Sequence, residues 1–333
     1  MKLTIIGGGS LGHVCAAVAS THSNCEVSLL SGHPEQWGLQ VVAIDPGGKQ
    51  FSGLLKRVSA EPEVLIPDAD IVLLCVPGYL IEQTLNRIAP FLGKNTCVGS
   101  IVSSTGFFFQ AHRLLPDTVP LFGYQRVPFI ARVTEYGHTA SLLGYKKEVA
   151  IAVEHCSDSE ILRSQLEYLF ITPTKLLNSF YEAALTNSNP ILHTGRLYSM
   201  WHEWNGEPFD HQILFYAEWD VPSAQMLIDM DAEFMALLEK LPVRQGIIPS
   251  LLDYYESNNA ESLTVKLRSI PAFKTITAPM LQTPNGWIPD FSSRYFTEDF
   301  PFGLRYIKEL AEANNLKTPT LEKVLRWGLD VTK

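Results

Sequence analysis

The sequence predicts an α/β fold in two parts: an N-terminal doubly wound sheet over residues 1–177 and an all-α domain over residues 178–333. Three observations predict it. Apolar, strand-like runs alternate with helical spacings through the first half, as in a largely parallel sheet covered on both faces. A glycine-rich turn joins the first such run to the first helical one. Beyond residue 178 nearly every periodic stretch is helical.

The opening strand, Lys2-Leu3-Thr4-Ile5-Ile6, runs into Gly7-Gly8-Gly9-Ser10-Leu11-Gly12-His13 and then into a helix of small apolar residues. Gly7, Gly9 and Gly12 occupy the three glycine positions of a dinucleotide-binding turn. The first makes the tight turn, the second lets backbone approach a pyrophosphate, and the third lets helix pack on strand. The helix N-terminus then offers free N–H groups and its positive dipole end to the phosphates. Gly7, Gly9, Ser10, Leu11 and Gly12 are therefore expected to bind NAD or NADP. A second strand over residues 25–30 ends at Ser31-Gly32-His33. An NAD-specific site places Asp or Glu at this tip, on the ribose hydroxyls. Ser31 stands there instead with no arginine nearby, so Ser31 contacts the ribose end and the choice between NAD and NADP stays open.

Residues 41–44 and 54–58 read as short strands around Asp45-Pro46-Gly47-Gly48. Residues 69–76 are near-continuously apolar, a strand buried on both faces. Its end, Val76-Pro77, falls at the carboxyl edge of the sheet, where ligands bind in open α/β folds, and both residues are expected at the cofactor. A helix over residues 79–92 follows, then a strand over 96–102 and the polar loop Ser103-Ser104-Thr105-Gly106 at the same edge. Residues 121–153 hold four strand-like runs that suggest an antiparallel addition to the sheet edge. A helix over 158–169 and a strand over 173–177 close this half. In the second half, a helical segment from Ser179 runs through His193 to Trp201 with Pro190 as a kink. Further helices are expected over 223–241, 251–255 and 302–314. The crevice between the halves is the default ligand site.

Composition excludes several partners. A formal net charge of −9 disfavours nucleic acid and anionic membranes. No run approaches the roughly 18 apolar residues of a transmembrane helix, and no secretory signal opens the chain. Five scattered cysteines without a Cys-x-x-Cys pair read as reduced thiols of a cytoplasmic protein.

Two stretches of the helical half carry unusual polar groups. Asn189 and His193 are four apart, on one face of an otherwise apolar helix. The plain reading of such a histidine is a satisfied core residue. Arg294 and Asp299 lie among aromatics and proline. Asp299 has an alternative as the cap of a helix starting near Pro301, and Arg294 as an ion-pair partner of Glu298 or Asp299. Beside a nicotinamide the three make chemical sense. Hydride transfer to C=O or C=N needs a group that protonates the acceptor. A carboxylate on the far nitrogen of a histidine fixes its tautomer for that task, and an arginine fork binds a carboxylate substrate at two points.

The glycine turn, Gly106-Phe107-Phe108-Phe109-Gln110, the run from His193 through Trp201 to Trp204-Asn205-Gly206-Glu207-Pro208, and Arg294-Tyr295-x-x-Glu298-Asp299-x-Pro301-x-Gly303 occur in one order along nearly the whole chain. In these pieces the sequence resembles the octopine/nopaline (opine) dehydrogenase family. The resemblance implies a Rossmann-type domain followed by a helical domain like the C-terminal domain of 6-phosphogluconate dehydrogenase. It also implies NAD(P)H-dependent reductive condensation of an α-keto acid with an amino acid, by a monomer or homodimer. By motif position His193 corresponds to the catalytic acid/base, Asp299 to its carboxylate partner and Arg294 to the arginine on the keto-acid carboxylate. Ser104 falls where octopine-type enzymes place a glutamine against the keto acid, and Asn189 is assigned to substrate with it. Thr194 after His193, and Tyr124-Gln125-Arg126-Val127-Pro128, depart from the family pattern. Two other readings compete. One is a ketopantoate-reductase-like or 2-hydroxyacid dehydrogenase, which favours a lysine that is absent beside His193 and Arg294. The other is a non-catalytic NAD(P)-binding sensor, which has no need of an acid–base pair.

Overall fold

The computed structural model describes residues 1–333, apart from the side chain of Thr105, and divides into two compact units, Met1–Ala184 and Leu185–Lys333. The first unit runs β1 (Lys2–Ile6), α1 (Ser10–Ala19), β2 (Glu26–Leu30), β3 (Gln40–Ile44), β4 (Gln50–Leu54), β5 (Arg57–Ser59), α2 (Pro62–Leu65), β6 (Ile71–Leu74), α3 (Gly78–Ile88) and β7 (Cys97–Ser100). It continues with α4 (Phe107–Leu114), β8 (Leu121–Tyr124), β9 (Phe129–Glu135), β10 (Thr139–Tyr145), β11 (Val149–Glu154), α5 (Ser159–Phe170), β12 (Thr174–Leu176) and α6 (Phe180–Ala184).

Eight strands form the main sheet in the order β12-β11-β8-β7-β6-β1-β2-β5. All neighbours are parallel except β11 and β8. β1 to β2 steps one way along the sheet and β6 lies on the other side of β1, so the strand order reverses between β1 and β6. That reversal is the switch point at which open α/β sheets bind ligands, outside the carboxyl ends of their strands. Two apolar cores flank the sheet. One holds α1 and α5, the other α3, α4 and α6.

The second sheet differs from the sequence expectation. β9 and β10 do not extend the main sheet. They join β3 and β4 in a separate sheet, β4-β3-β10-β9, and only β11 adds an antiparallel strand to the main one. The reason lies in α1. Every residue from Gly12 to Ala19 is buried, so the helix has no face for water and needs an apolar cover on its outer side. The small sheet supplies it with Val41, Ala43, Ala140 and Leu142. The run 54–58 likewise splits: Leu54 ends β4 in the small sheet, whereas Arg57 begins β5 on the main one.

The second unit comprises α7 (Asn189–Trp201), α8 (Val221–Leu238), α9 (Leu251–Tyr254), α10 (Ala260–Ser269), β13 (Met280–Thr283), β14 (Gly286–Pro289), α11 (Arg294–Thr297), α12 (Arg305–Ala313) and α13 (Pro319–Val331). It is helical, with one hairpin, β13–β14, closed by Pro284-Asn285 ahead of Gly286. Pro190 does not kink a long helix as expected. α6 ends at Ala184, and Pro190 sits in the first turn of α7, where its missing N–H costs nothing. A π-helical turn over Phe300–Leu304 leads into α12. Among the described residues no helix is long and apolar enough to cross a membrane.

Arg196 of α7 is the main polar tie inside this unit. It is 2% exposed, donates to Ser223 Oγ (2.6 Å) and to the carbonyl of Glu218 (2.7 Å), and lies 3.3 Å from Asp220, the N-cap of α8. Replacing Arg196 by Met strands those acceptors in the interior. Urea unfolding followed by tryptophan emission, with Trp219 stacked on the guanidinium, is expected to show a loss of about 3 kcal/mol. Asp231 of α8 is buried and accepts the Leu251 N–H at 2.8 Å. Burial pushes its carboxyl up to about 6. Its folded-state value is thus raised, so its contribution is complete at acid pH and is lost as pH rises through about 6. Asp231→Asn keeps an acceptor without the charge. It is expected to stabilise the protein at pH 8 by on the order of 1–2 kcal/mol and to bring no gain near pH 4, read from paired denaturation curves.

Candidate active site

In the first unit the glycines divide their tasks as steric geometry requires. Gly7 has φ +114°, and a Cβ there would stand 2.6 Å from the carbonyl of Cys75. A Cβ on Gly12 would stand 2.0 Å from the carbonyl of Gly7, so helix and strand are in direct contact. Gly9 alone of the three faces open space, with nothing within 4 Å of an added Cβ. It is also the N-cap of α1, and no side chain caps that helix. An uncapped helix start with open space in front of a glycine is a cradle that fits a pyrophosphate.

Val76 and Pro77 lie across the switch point from this turn. Val76 Cγ1 comes within 3.0 Å of the Cβ that Gly7 lacks, and Pro77 is the N-cap of α3. Leu11 is half-buried, and the Ser10 hydroxyl accepts the Val133 N–H of β9 (3.1 Å). Ser31 is buried at the tip of β2; its Oγ accepts the His33 N–H at 3.2 Å and stands 3.5 Å from the Tyr136 hydroxyl. Ser104 lies in the 3-10 turn that follows β7, half-buried beside Ser103, whose hydroxyl is tied to the Tyr124 carbonyl.

His13, Trp37 and Tyr136 form a fixture the sequence reading missed. The Gly137 N–H donates to His13 Nε2 (2.7 Å), and His13 Nδ1 lies 3.0 Å from the Gly9 carbonyl. Burial holds the imidazole below its ordinary value, so it stays neutral with Nδ1–H donating and Nε2 accepting. Its ring packs on Trp37 (4.1 Å) and Tyr136 (5.2 Å). The glycine turn is thereby pinned to the β9–β10 hairpin. Only the presence of a histidine after the turn hinted at this, because Gly137 and Tyr136 are more than a hundred residues away.

In the second unit α7 carries His193, and the segment 291–304 carries Arg294 and Asp299. His193 Nδ1 lies 2.8 Å from Asp299 Oδ2, with the two side chains 12% and 17% exposed. This decides between the two readings of Asp299. It sits ahead of the π-helical turn, but its side chain makes no cap hydrogen bond there. The pairing depends on a close approach of the π-helical backbone to the ring of Pro190. A Cβ on Gly303 would stand 2.5 Å from Pro190 Cγ, so only glycine lets the π-helical turn rest on the start of α7.

His193 Nε2 lies 3.2 Å from the Tyr216 hydroxyl, a partner no sequence spacing pointed to. The ring also meets Tyr295 at 4.5 Å and Phe215 edge-on at 5.6 Å. Burial raises both the Tyr216 and Tyr295 phenols, with Asp299 adding to each, so both remain protonated. Arg294 opens α11, is exposed, and has no ion pair among the described residues, neither Glu298 nor Asp299 taking it. Asn189 begins α7 one turn ahead of His193, exposed to solvent. The second unit thus brings His193, Asp299, Tyr216 and Tyr295 together, with Arg294 next to Tyr295 in the chain. Such a group can hold an imidazole in one tautomer and leave a guanidinium fork free for a carboxylate. Among the described residues no cluster of His, Cys, Asp and Glu is arranged to hold a metal.

The family profile described as "NAD/NADP octopine/nopaline dehydrogenase, alpha-helical domain" matches residues 176–332, and that described as "Ketopantoate reductase PanE/ApbA" matches residues 3–124. The tauropine dehydrogenase of Arabella iricolor is 27% identical over 98% of this chain and 90% of its own length. The octopine dehydrogenase of Mizuhopecten yessoensis is 26% identical over 98% of this chain and 89% of its own. An octopine dehydrogenase structure with NADH and pyruvate superposes with a TM-score of 0.86 at 25% identity, covering 100% of this chain and 89% of that one. The ketopantoate reductase profile matches only within the nucleotide-binding half, whereas the sequence likeness to the opine dehydrogenases spans both halves and includes the segment that carries His193, Arg294 and Asp299. This chain belongs to the octopine/nopaline dehydrogenase family of NAD(P)-dependent oxidoreductases.

Proposed function

We propose that the protein is an opine-type dehydrogenase that reductively condenses an α-keto acid with an amino acid, using NADH or NADPH. The observation that carries this reading is the 2.8 Å pairing of His193 with Asp299 in the half that matches the octopine/nopaline dehydrogenases. Bound at the glycine turn, the nicotinamide cofactor supplies the hydride. Gly9 and the uncapped start of α1 would hold its pyrophosphate, flanked by Gly7, Ser10, Leu11, Gly12, Val76 and Pro77, with Ser31 toward the ribose end.

Arg294 binds the keto-acid carboxylate through its free guanidinium fork and so fixes which way the carbonyl points. Asp299 accepts the Nδ1–H of His193 and stabilises the imidazolium form of that ring. The His193 Nε2 proton then goes to the carbonyl oxygen during condensation, or to the nitrogen during reduction. The aromatic wall of Phe215, Tyr216 and Tyr295 keeps water from the ring, which strengthens these charge interactions. Ser104 and Asn189 are the remaining candidates for polar contacts to substrate. All five cysteines are unpaired thiols, which suits a reducing compartment, and we assign the protein to the cytoplasm.

Replacing His193 by Ala is expected to cut turnover by roughly 10²- to 10⁴-fold, while NADH affinity measured by nicotinamide fluorescence stays within a factor of two. Wild-type turnover in that variant overturns the reading. Arg294→Ala is expected to raise KM for the keto acid by roughly ten- to a hundredfold, the worth of a charge-assisted fork, with little change in KM for NADH. A keto acid offered with and without amines separates the condensation from a 2-hydroxyacid dehydrogenase: cofactor oxidation that needs no amine favours the latter. Tight cofactor binding with no oxidation across amines and keto acids favours a sensor.

A further inference from the structure

The Tyr216 hydroxyl occupies the side of His193 that faces away from Asp299. This buried phenol and the imidazole Nε2 are 3.2 Å apart. Asp299 as a carboxylate only accepts, so Nδ1 carries a proton in both charge states of the ring. Nε2 is the nitrogen whose state changes. In the neutral ring it holds a lone pair, and the Tyr216 O–H donates to it. In the imidazolium it carries a proton, and the same oxygen accepts from it. A hydroxyl is both donor and acceptor and needs only to rotate. Phenylalanine offers neither function, and a carboxylate or an ammonium offers only one.

The surroundings hold this oxygen in place. Tyr216 is 6% exposed and stacks on Phe273 at 4.2 Å, with Trp219 at 5.9 Å on a nearly parallel plane. The adjoining backbone is tied down as well: the Phe215 N–H donates to the Ile276 carbonyl, and Leu214 bridges to Thr277. The titratable groups facing it are His193, Asp299, Tyr255 and Tyr295. No lysine or arginine is among them.

We propose that Tyr216 is a positioning residue for His193, holding Nε2 in line by a hydrogen bond whose direction reverses when that nitrogen gains or loses its proton. This rests on the opine-dehydrogenase reading of His193. In the transfer step the Nε2–H is shared between the Tyr216 oxygen, 3.2 Å away, and the substrate atom; the Nε2–H bond breaks, the proton passes to the oxygen or nitrogen of the substrate, and the lone pair left on Nε2 accepts the Tyr216 O–H as the hydroxyl turns. No proton leaves Tyr216, so its phenol is neutral before and after. The ring is thus restrained in both states, and the imidazole left after transfer is met at once by a donor.

Tyr216→Phe removes one oxygen and keeps the stack on Phe273. The expected result is a kcat lowered about tenfold, with KM for NADH and for the keto acid within about twofold of wild type. A purely structural role would not move the nitrogen spectrum of the histidine. With 15N-labelled histidine, the Nε2 resonance of His193 is expected to shift toward that of an unbonded lone pair in Tyr216→Phe, while Nδ1 keeps its proton on Asp299. Unchanged kcat, an unchanged Nε2 resonance, or a loss confined to KM overturns the proposal. His193→Ala, run in parallel, keeps the two claims apart. If that variant is inactive and Tyr216→Phe behaves as wild type, only the role of Tyr216 fails. If it is fully active, the reading of the site fails with it.

Discussion

The hydrogen bond between His193 Nδ1 and Asp299 is the interaction on which the helical unit is centred. It ties the second turn of α7 to a segment more than a hundred residues further along. It exists because the backbone at Gly303, with no side chain of its own, rests directly on the ring of Pro190. The π-helical turn over Phe300–Leu304 then aims the carboxylate back at the imidazole instead of along its own helix axis. The aromatic residues around the pair follow from the same need. A charged dyad that is mostly shielded from water requires partners for every polar atom, and the remaining nitrogen of the ring finds one in Tyr216.

The first unit obeys a different constraint, the complete burial of α1. A helix with no solvent-facing side cannot lie on one sheet alone. The small sheet answers that, and in doing so it brings the β9–β10 hairpin over the glycine turn. His13 is the joint between the two, and its burial keeps it in the neutral form that both of its hydrogen bonds require. The nucleotide-binding turn is therefore held from outside as well as from the sheet beneath it, and little of it has to rearrange to meet a ligand.

Local physics explains what the sequence disclosed and what it withheld. Gly7, Gly9 and Gly12 were readable because turn geometry and close packing act within a few residues. The strand ending at Val76-Pro77 was readable because burial on both faces leaves a continuous apolar run. His193, Arg294 and Asp299 stood out as polar groups in apolar or aromatic company, and the motif order of a family joined them. The destination of β9 and β10 was hidden, since alternation of side chains gives a strand but not the sheet it joins. Pro190 misled for a related reason: the same residue opens a helix or bends one, and the break at Leu185 that decides between them has no local mark. Tyr216 and the His13 joint were out of reach because loops and hairpins bring them to their partners by long-range packing alone.

The small sheet has a further consequence, in the order of assembly. Its central pairing joins Val42 to Thr139, which closes a loop of roughly a hundred residues, and the entropy of that closure is met only after much of the main sheet exists. Strands β1, β2 and β6 pair over shorter spans and make an earlier nucleus. The outer cover of α1 is therefore a late arrival in folding. Until it arrives, an apolar helix stands bare on one side, exposed to association with other chains. The last event to complete this half of the molecule is also the one that finishes its glycine turn, so competence to hold a nucleotide and safety from aggregation are reached together.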